Sequence, residues 1–269
     1  MSEAFYYDAG SAQSVVLLHG YPFDHSMWAE QIDLLGAHGY RVFAPDLPGL
    51  GGSLKQADQT IITMADMARA VAASMDRLGV IDATVCGLSM GGYVAFEFAH
   101  LFPLRVRSLV LAGTRAPADN ELEKQARAQQ VAQMLATGMG DIADATLAKL
   151  LAPRTLAEKP AVAARVHEMI LRADRVGTAA AQRGMAARRD YSADLPGIKV
   201  PVLIIVGRQD SIRPVADAEF MHRGLSNSRL EIIEDAAHMT NMEQPEIFNR
   251  ALLTLLEALD NTAGASPPS

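Results

Sequence analysis

Hydrophobic positions along the chain follow two rhythms. Predominantly apolar runs stand at Val15-Val16-Leu17-Leu18-His19, Arg41-Val42-Phe43-Ala44-Pro45-Asp46, Ala83-Thr84-Val85-Cys86, 106–112 and 200–207. Such runs, rich in β-branched residues and lacking polar alternation, predict strands buried on both faces, as in a parallel sheet. The segment 229–234 alternates instead, as an edge strand does. Between these runs the apolar residues recur every three or four positions. That spacing predicts helices over 26–37, from 64 to about 78, over 93–99, over 215–225 and over 243–259. Thr63-Met64-Ala65-Asp66 has the form of a capping box, and Pro245 suits the first turn of the last helix. The alternation of strand and helix predicts an α/β fold, a mostly parallel central sheet flanked by helices.

The alternation stops between 117 and 189, where no strand signal occurs. Four helical segments are expected there, near 119–136, 141–151, 158–173 and 175–189, with Met134, Leu135, Leu147, Leu150, Val166, Met169 and Ile170 at helical spacing. The expected organisation is a core of 1–115 and 191–260, an inserted all-helical cap at 116–190 and a loose tail at 261–269. The cap methionines are expected to pack as ordinary core. Its arginines, Arg165, Arg172, Arg175, Arg183, Arg188 and Arg189, are expected on solvated faces, one of them free to meet a substrate carboxylate.

The chain has 269 residues, a net charge of −7 spread along its length and one cysteine, Cys86. Dispersed negative charge argues against nucleic acid or an acidic membrane surface as partner. One cysteine allows no intrachain disulfide, and a cytoplasmic setting is expected. Met1 to Asp8 has no basic start and no long apolar run, so no signal peptide is expected. No stretch approaches the roughly 20 apolar residues of a membrane span. Gly49, Gly51 and Gly52 lack the Gly-x-Gly-x-x-Gly spacing of a dinucleotide loop, so 47–53 reads as a tight turn.

The chemistry centres on Gly87-Leu88-Ser89-Met90-Gly91, which follows a strand and opens a helix. A serine on so tight a turn is held in a strained conformation with its hydroxyl exposed at the positive end of the helix. A hydroxyl needs a base to become a nucleophile, and histidine, with an unperturbed pKa of about 6.5, suits that task. The base needs a carboxylate to fix its tautomer. Asp210 follows the strand at 200–207 and His238 follows the strand near 228–234, so both reach the sheet edge where ligands bind. Asp235 is the rival carboxylate, disfavoured because it shares a loop with His238. His19 is expected to brace its loop; His25, His38, His100, His167 and His222 lack metal-ligand spacing and are expected at the surface. Cys86 lies within a strand and reads as a small core residue.

With these residues in place the chain resembles the α/β-hydrolase superfamily over nearly its whole length. The order Ser89, Asp210, His238 matches, as do His19-Gly20-Tyr21-Pro22, the loop from Pro45 to Ser53 and the helical insertion. The Gly-Leu-Ser-Met-Gly-Gly form is similar to small capped carboxylesterases, lactonases and 3-oxoadipate enol-lactonases. Ser89 stands where dehalogenases and epoxide hydrolases of the superfamily carry aspartate, which disfavours those chemistries. The resemblance implies an oxyanion hole from the backbone N–H groups of Tyr21 and Met90, and a pocket walled by Tyr21, Phe23, Trp28, Met90 and Met239. It implies a serine hydrolase acting through an acyl-enzyme on a small ester or lactone, with no cofactor and no metal. An enol-lactonase with a cap arginine facing the pocket, a carbon–carbon bond hydrolase and a perhydrolase could use the same three groups; a non-catalytic ligand receptor is the reading from another class. Residues 1–14 are short for the family's first hairpin, predicting a reduced first edge.

Overall fold

A computed structural model describes residues 4–7, 13–53 and 59–263. The five apolar runs, the alternating segment and a short strand near the start form a seven-stranded sheet in the order β1-β3-β2-β4-β5-β6-β7. The strands are β1 (Ala4–Tyr7), β2 (Ser14–Leu18), β3 (Arg41–Pro45), β4 (Ala83–Leu88), β5 (Val106–Ala112), β6 (Val202–Gly207) and β7 (Ser228–Ile233). Six run parallel; β1 pairs antiparallel with β3. β7, the alternating segment, closes the other edge.

Successive residues of each inner strand serve opposite faces of the sheet, which is why the strands carry no polar alternation. Val16, Leu18, Val85, Leu109, Leu111, Ile204 and Val206 join one apolar cluster. Val15, Leu17, Cys86, Leu88, Val110, Leu203 and Ile205 join the other. Each fully buried aliphatic side chain contributes roughly 1.5–3 kcal/mol. Helices α1 (Ala29–Ala37), α2 (Met64–Arg77) and α3 (Met90–Leu101) follow β2, β3 and β4. α2 and α3 cover the first cluster with Met67, Val71, Met75, Val94 and Phe98. α1 covers the second with Ile32 and Leu35. The capping box at α2 is formed: Asp66 N donates to Thr63 Oγ1 at 3.1 Å and Thr63 N to Asp66 Oδ2 at 2.9 Å.

Five helices lie between β5 and β6: α4 (Glu121–Thr137), α5 (Gly140–Leu150), α6 (Pro153–Glu158), α7 (Pro160–Arg172) and α8 (Arg175–Ala186). Four segments were expected; Pro153 and Pro160 each open a new helix and so make α6 a separate turn. Val131, Met134, Ile142, Val166, Met169 and Ile170 of these helices continue the second cluster, whereas Leu135 is exposed.

α9 (Val215–Gly224), α10 (Thr240–Glu243) and α11 (Pro245–Ala263) complete the chain. The expected helix from 243 is broken at Gln244, whose φ of −132° and ψ of 62° leave the helical region. A residue before proline is pushed out of that region, so Pro245 starts α11 afresh. α11 runs on through Ala263, so 261–263 are helix rather than tail; 264–269 lie outside the described residues. Among the described residues no helix is long and apolar enough to cross a membrane.

Candidate active site

Parallel strands deliver their C-terminal ends to one rim, and β4, β6 and β7 each release a chemically equipped loop there. Ser89 follows β4 at once and has φ 56° and ψ −112°. A non-glycine residue in this left-handed quadrant costs about 1–3 kcal/mol. The surrounding backbone holds it: Ser89 N donates to Ala112 O at 2.8 Å, and Thr114 Oγ1 donates to Ser89 O at 2.9 Å. The glycines either side are required by close approach. A Cβ on Gly87 would strike the Gly91 carbonyl, and one on Gly91 would strike the Leu18 carbonyl.

That second approach presses the start of α3 against the end of β2 and the turn His19-Gly20-Tyr21-Pro22. A Cβ on Gly20 would lie 3.3 Å from the Leu88 side chain, so the turn that carries Tyr21 packs against the end of β4. His19 is fully buried; its Nδ1 donates to Gly20 O at 2.9 Å and its Nε2 accepts from Leu47 N at 2.9 Å. The ring thereby ties the β2 loop to the β3 loop. The N–H groups of Tyr21 and Met90 have no hydrogen-bond acceptor among the described residues.

Asp210 follows β6 in a tight turn. Its Oδ1 accepts from Ile212 N and Arg213 N, both at 2.8 Å. Its Oδ2 accepts from His238 Nδ1 at 2.8 Å. Burial works against ionisation here, but the imidazole and the two backbone N–H groups outweigh it and hold the carboxyl below its usual range. An ionised Asp210 keeps the proton on Nδ1 and leaves Nε2 as the acceptor. The imidazole lies against Gly113, where a Cβ would sit 3.3 Å from Nδ1. The segment 112–114 therefore touches both Ser89 and His238. Neither Ser89 Oγ nor His238 Nε2 has a hydrogen-bond partner among the described residues. Asp235, the rival, has φ 53° and turns outward to Arg154 Nη1 at 2.7 Å.

Phe23, Trp28 and Met239 are fully buried in the apolar cluster that continues into the helical insertion, and Trp28 packs on Phe248 with ring centroids 5.9 Å apart. Met90 is buried in the cluster on the other face. Tyr21 packs against both clusters, and its buried hydroxyl has no hydrogen-bond partner among the described residues. Clefts of about 530, 740 and 460 Å³ open elsewhere, and Ser89 lines none of the three.

His25 corrects the expectation of a surface position. It is half-buried, and its ring and backbone nitrogens both bond Asp46 Oδ1 at 2.8 Å. That bond raises its pKa, with burial opposing. The donor atoms of Asp24, His25 and Asp46 lie within 4.8 Å of one another, a spacing a cation could bridge. The carboxylates are already engaged: Arg172 grips Asp24 through two nitrogens at 2.7–2.9 Å, and Gly52 N bonds Asp46 Oδ2 at 2.8 Å. Cys86 is buried in β4, and burial pushes its thiol pKa up.

Several contributors carried no sequence signal strong enough to single them out. Arg213 bonds the Tyr93 hydroxyl through two nitrogens at 2.9 and 2.6 Å while its own N–H holds Asp210. Asp119 faces three guanidiniums: Arg115 at 2.8 Å, Arg188 at 2.7 Å, and Arg127. Burial disfavours its charge, but Arg127 and Arg188 outweigh burial and lower its pKa to about 2. Arg127 also acts at a distance on Tyr21, whose hydroxyl pKa is raised by burial against the pull of that charge. Of the six cap arginines noted in the sequence, Arg165, Arg172, Arg183, Arg188 and Arg189 are bonded to Glu30, Asp24, Thr60 O, Asp119 and Asp194.

Comparison with known proteins agrees with this architecture. The family model described as alpha/beta hydrolase fold matches residues 13–245. The chain is 31% identical over 232 residues to 3-oxoadipate enol-lactonase 2 of Acinetobacter baylyi, covering 86% of this chain and 84% of the relative. Among solved structures it is similar to a thermophilic esterase from Thermogutta terrifontis with malate bound, at TM-score 0.91 and 36% identity, covering 96% and 94% of the two chains. It is also similar to the enol-lactonase of Burkholderia xenovorans LB400, at TM-score 0.86 and 28% identity, covering 95% and 97%. A parallel sheet, a strained serine between strand and helix, and a match across most of the sequence place the chain in the α/β-hydrolase family, and it is a hydrolase of that superfamily.

Proposed function

We propose that the protein cleaves a small carboxylic ester or lactone through an acyl-enzyme on Ser89, using its own side chains and water. The observation that carries this reading is the 2.8 Å bond from His238 Nδ1 to Asp210, on a ring packed against the same segment that holds Ser89. Ser89 Oγ attacks the carbonyl carbon as its proton passes to His238 Nε2. Asp210 stabilises the imidazolium. The negative charge on the carbonyl oxygen meets the N–H groups of Tyr21 and Met90; losing one such donor costs about 10²–10³ in turnover. His238 then protonates the departing alcohol, which in a lactone stays tethered to the acyl group. Water attacks the acyl-enzyme, His238 takes its proton, and the acid leaves with the Ser89 hydroxyl restored. The helical insertion at 116–190 acts as a cap over this centre, and its share of the apolar cluster supplies the wall for the acyl chain.

A substrate with a second carboxylate is the alternative, favoured by charge. Asp119 and Glu123 are two anions among three arginines, and the charge of Arg127 is felt at the Tyr21 hydroxyl, which has no hydrogen-bond partner among the described residues. The similarity to 3-oxoadipate enol-lactonases points the same way. Rates on p-nitrophenyl butyrate, a neutral lactone and a lactone bearing a carboxylate separate the two. The first reading expects turnover of the neutral compounds. The second expects Arg127→Gln to lower kcat/KM on the acidic lactone by about tenfold, the worth of one charge-assisted hydrogen bond, with little change on the neutral ester. Turnover of none of the three would overturn both.

A further inference from the structure

Glu243 is fully buried at the end of α10, five residues after His238. Its Oε1 accepts from Ala237 N at 2.8 Å. Its Oε2 accepts from Ala152 N at 2.6 Å and from Thr155 Oγ1 at 2.8 Å. Ala237 immediately precedes His238, whereas Ala152 and Thr155 lie at the junction of α5 and α6 in the insertion. A second set of bonds runs in parallel: Leu150 O, at the end of α5, accepts from His238 N at 3.0 Å and Met239 N at 3.2 Å. Lys159 Nζ closes the same seam on Glu243 O at 2.5 Å. His238 and Met239 are thus bound directly to the end of α5, and Ala237 is joined to the same stretch through the Glu243 carboxylate.

We infer that Glu243 is a positioning residue for His238, holding its loop in register with Asp210 and making that placement depend on how the cap is seated. The inference rests on the reading of His238 as general base. The chemistry of the bridge requires a carboxylate. Each oxygen faces at least one N–H, so both must accept. A glutamine of the same size would turn its amide N–H₂ toward Ala237 N–H on one side or Ala152 N–H on the other. One donor would then be left buried and unpaired, and the loop or the cap would shift. Burial raises the Glu243 pKa, while the hydrogen bonds it accepts favour the ionised form.

Glu243→Gln and Thr155→Val in the full chain test this, read by kcat, KM, thermal midpoint and the low-field proton resonance of the His238 Nδ1–H bonded to Asp210. Glu243→Gln is expected to lower kcat by about tenfold to a hundredfold, as a small misplacement of a catalytic group does, with KM changed by less than about threefold. The low-field resonance should move or broaden. Thr155→Val, which removes one donor from the cap side alone, should move kcat and the resonance in the same sense by less. A lowered thermal midpoint with kcat and resonance at wild-type values would overturn the proposal and leave Glu243 a stabilising residue only. If Glu243→Gln does not fold, Thr155→Val decides, and unchanged kcat and resonance there overturn the coupling. Failure of the parent reading looks different: His238→Ala would itself retain activity.

Discussion

Ser89→Ala is expected to lower kcat/KM on any ester the protein hydrolyses by about 10⁴–10⁶-fold, because removal of the nucleophile leaves only binding and oxyanion contacts. The fold should be unaffected. Alanine occupies the same strained quadrant as serine, and Ser89 is held through its backbone bonds to Ala112 and Thr114 rather than through its hydroxyl. A thermal midpoint equal to that of the wild type, measured with the rates, separates lost chemistry from lost structure. Activity within tenfold of wild type would remove Ser89 from the mechanism.

The second large effect belongs to Asp210→Asn. The side-chain oxygen of asparagine would keep the N–H groups of Ile212 and Arg213, which now bond Oδ1 at 2.8 Å. Its N–H₂ would then face His238 Nδ1 and donate to it. The ring proton would move to Nε2, the nitrogen that must be free to take the serine proton. The expected loss is about 10⁴ in kcat, or about 5 kcal/mol of transition-state stabilisation. Nitrogen NMR of the His238 ring should show the exchanged tautomer with KM little changed. Retention of the wild-type tautomer and rate would mean that Asp210 is not the orienting group.

Much of this arrangement is legible from the residues alone, because it depends on local chain geometry. A strand run, a glycine-bounded serine and a helix pattern in succession leave the chain few ways to turn. The continuous apolar runs of β2, β4 and β6 are matched by strands that bury both faces. Asp210 and His238 could be placed at strand ends by position. What stays hidden is whatever depends on side-chain direction across long sequence separations. Glu243 looks like an ordinary helix-end acid until Ala152 and Thr155, some ninety residues earlier, are brought against it. Arg127 carries no signal of its own in the sequence; Asp119 and Tyr21 give it its surroundings. His25 shows no spacing signal because Asp46 comes from the next strand and Arg172 from the cap. The helix break at Gln244 was signalled by Pro245, yet the apolar spacing on both sides masked it.

The same contrast separates the sheet rim from the helical insertion. The sheet rim carries the strained serine, the imidazole and its carboxylate on loops of only a few residues, so their positions follow from the core. The helical insertion carries Arg127, Arg172 and Arg188, on helices whose mutual packing joins residues far apart in sequence. The Glu243 bridge joins these two parts at His238.

The mechanism turns on Ser89 Oγ becoming acylated. Treatment with a fluorophosphonate followed by proteolysis and mass spectrometry of the peptides tests it most directly. One phosphonyl group per chain on Ser89, with full loss of ester hydrolysis and no labelling of His238→Ala, is the result expected. A label on another residue, or a chain that hydrolyses esters while Ser89 stays unmodified, would contradict the account.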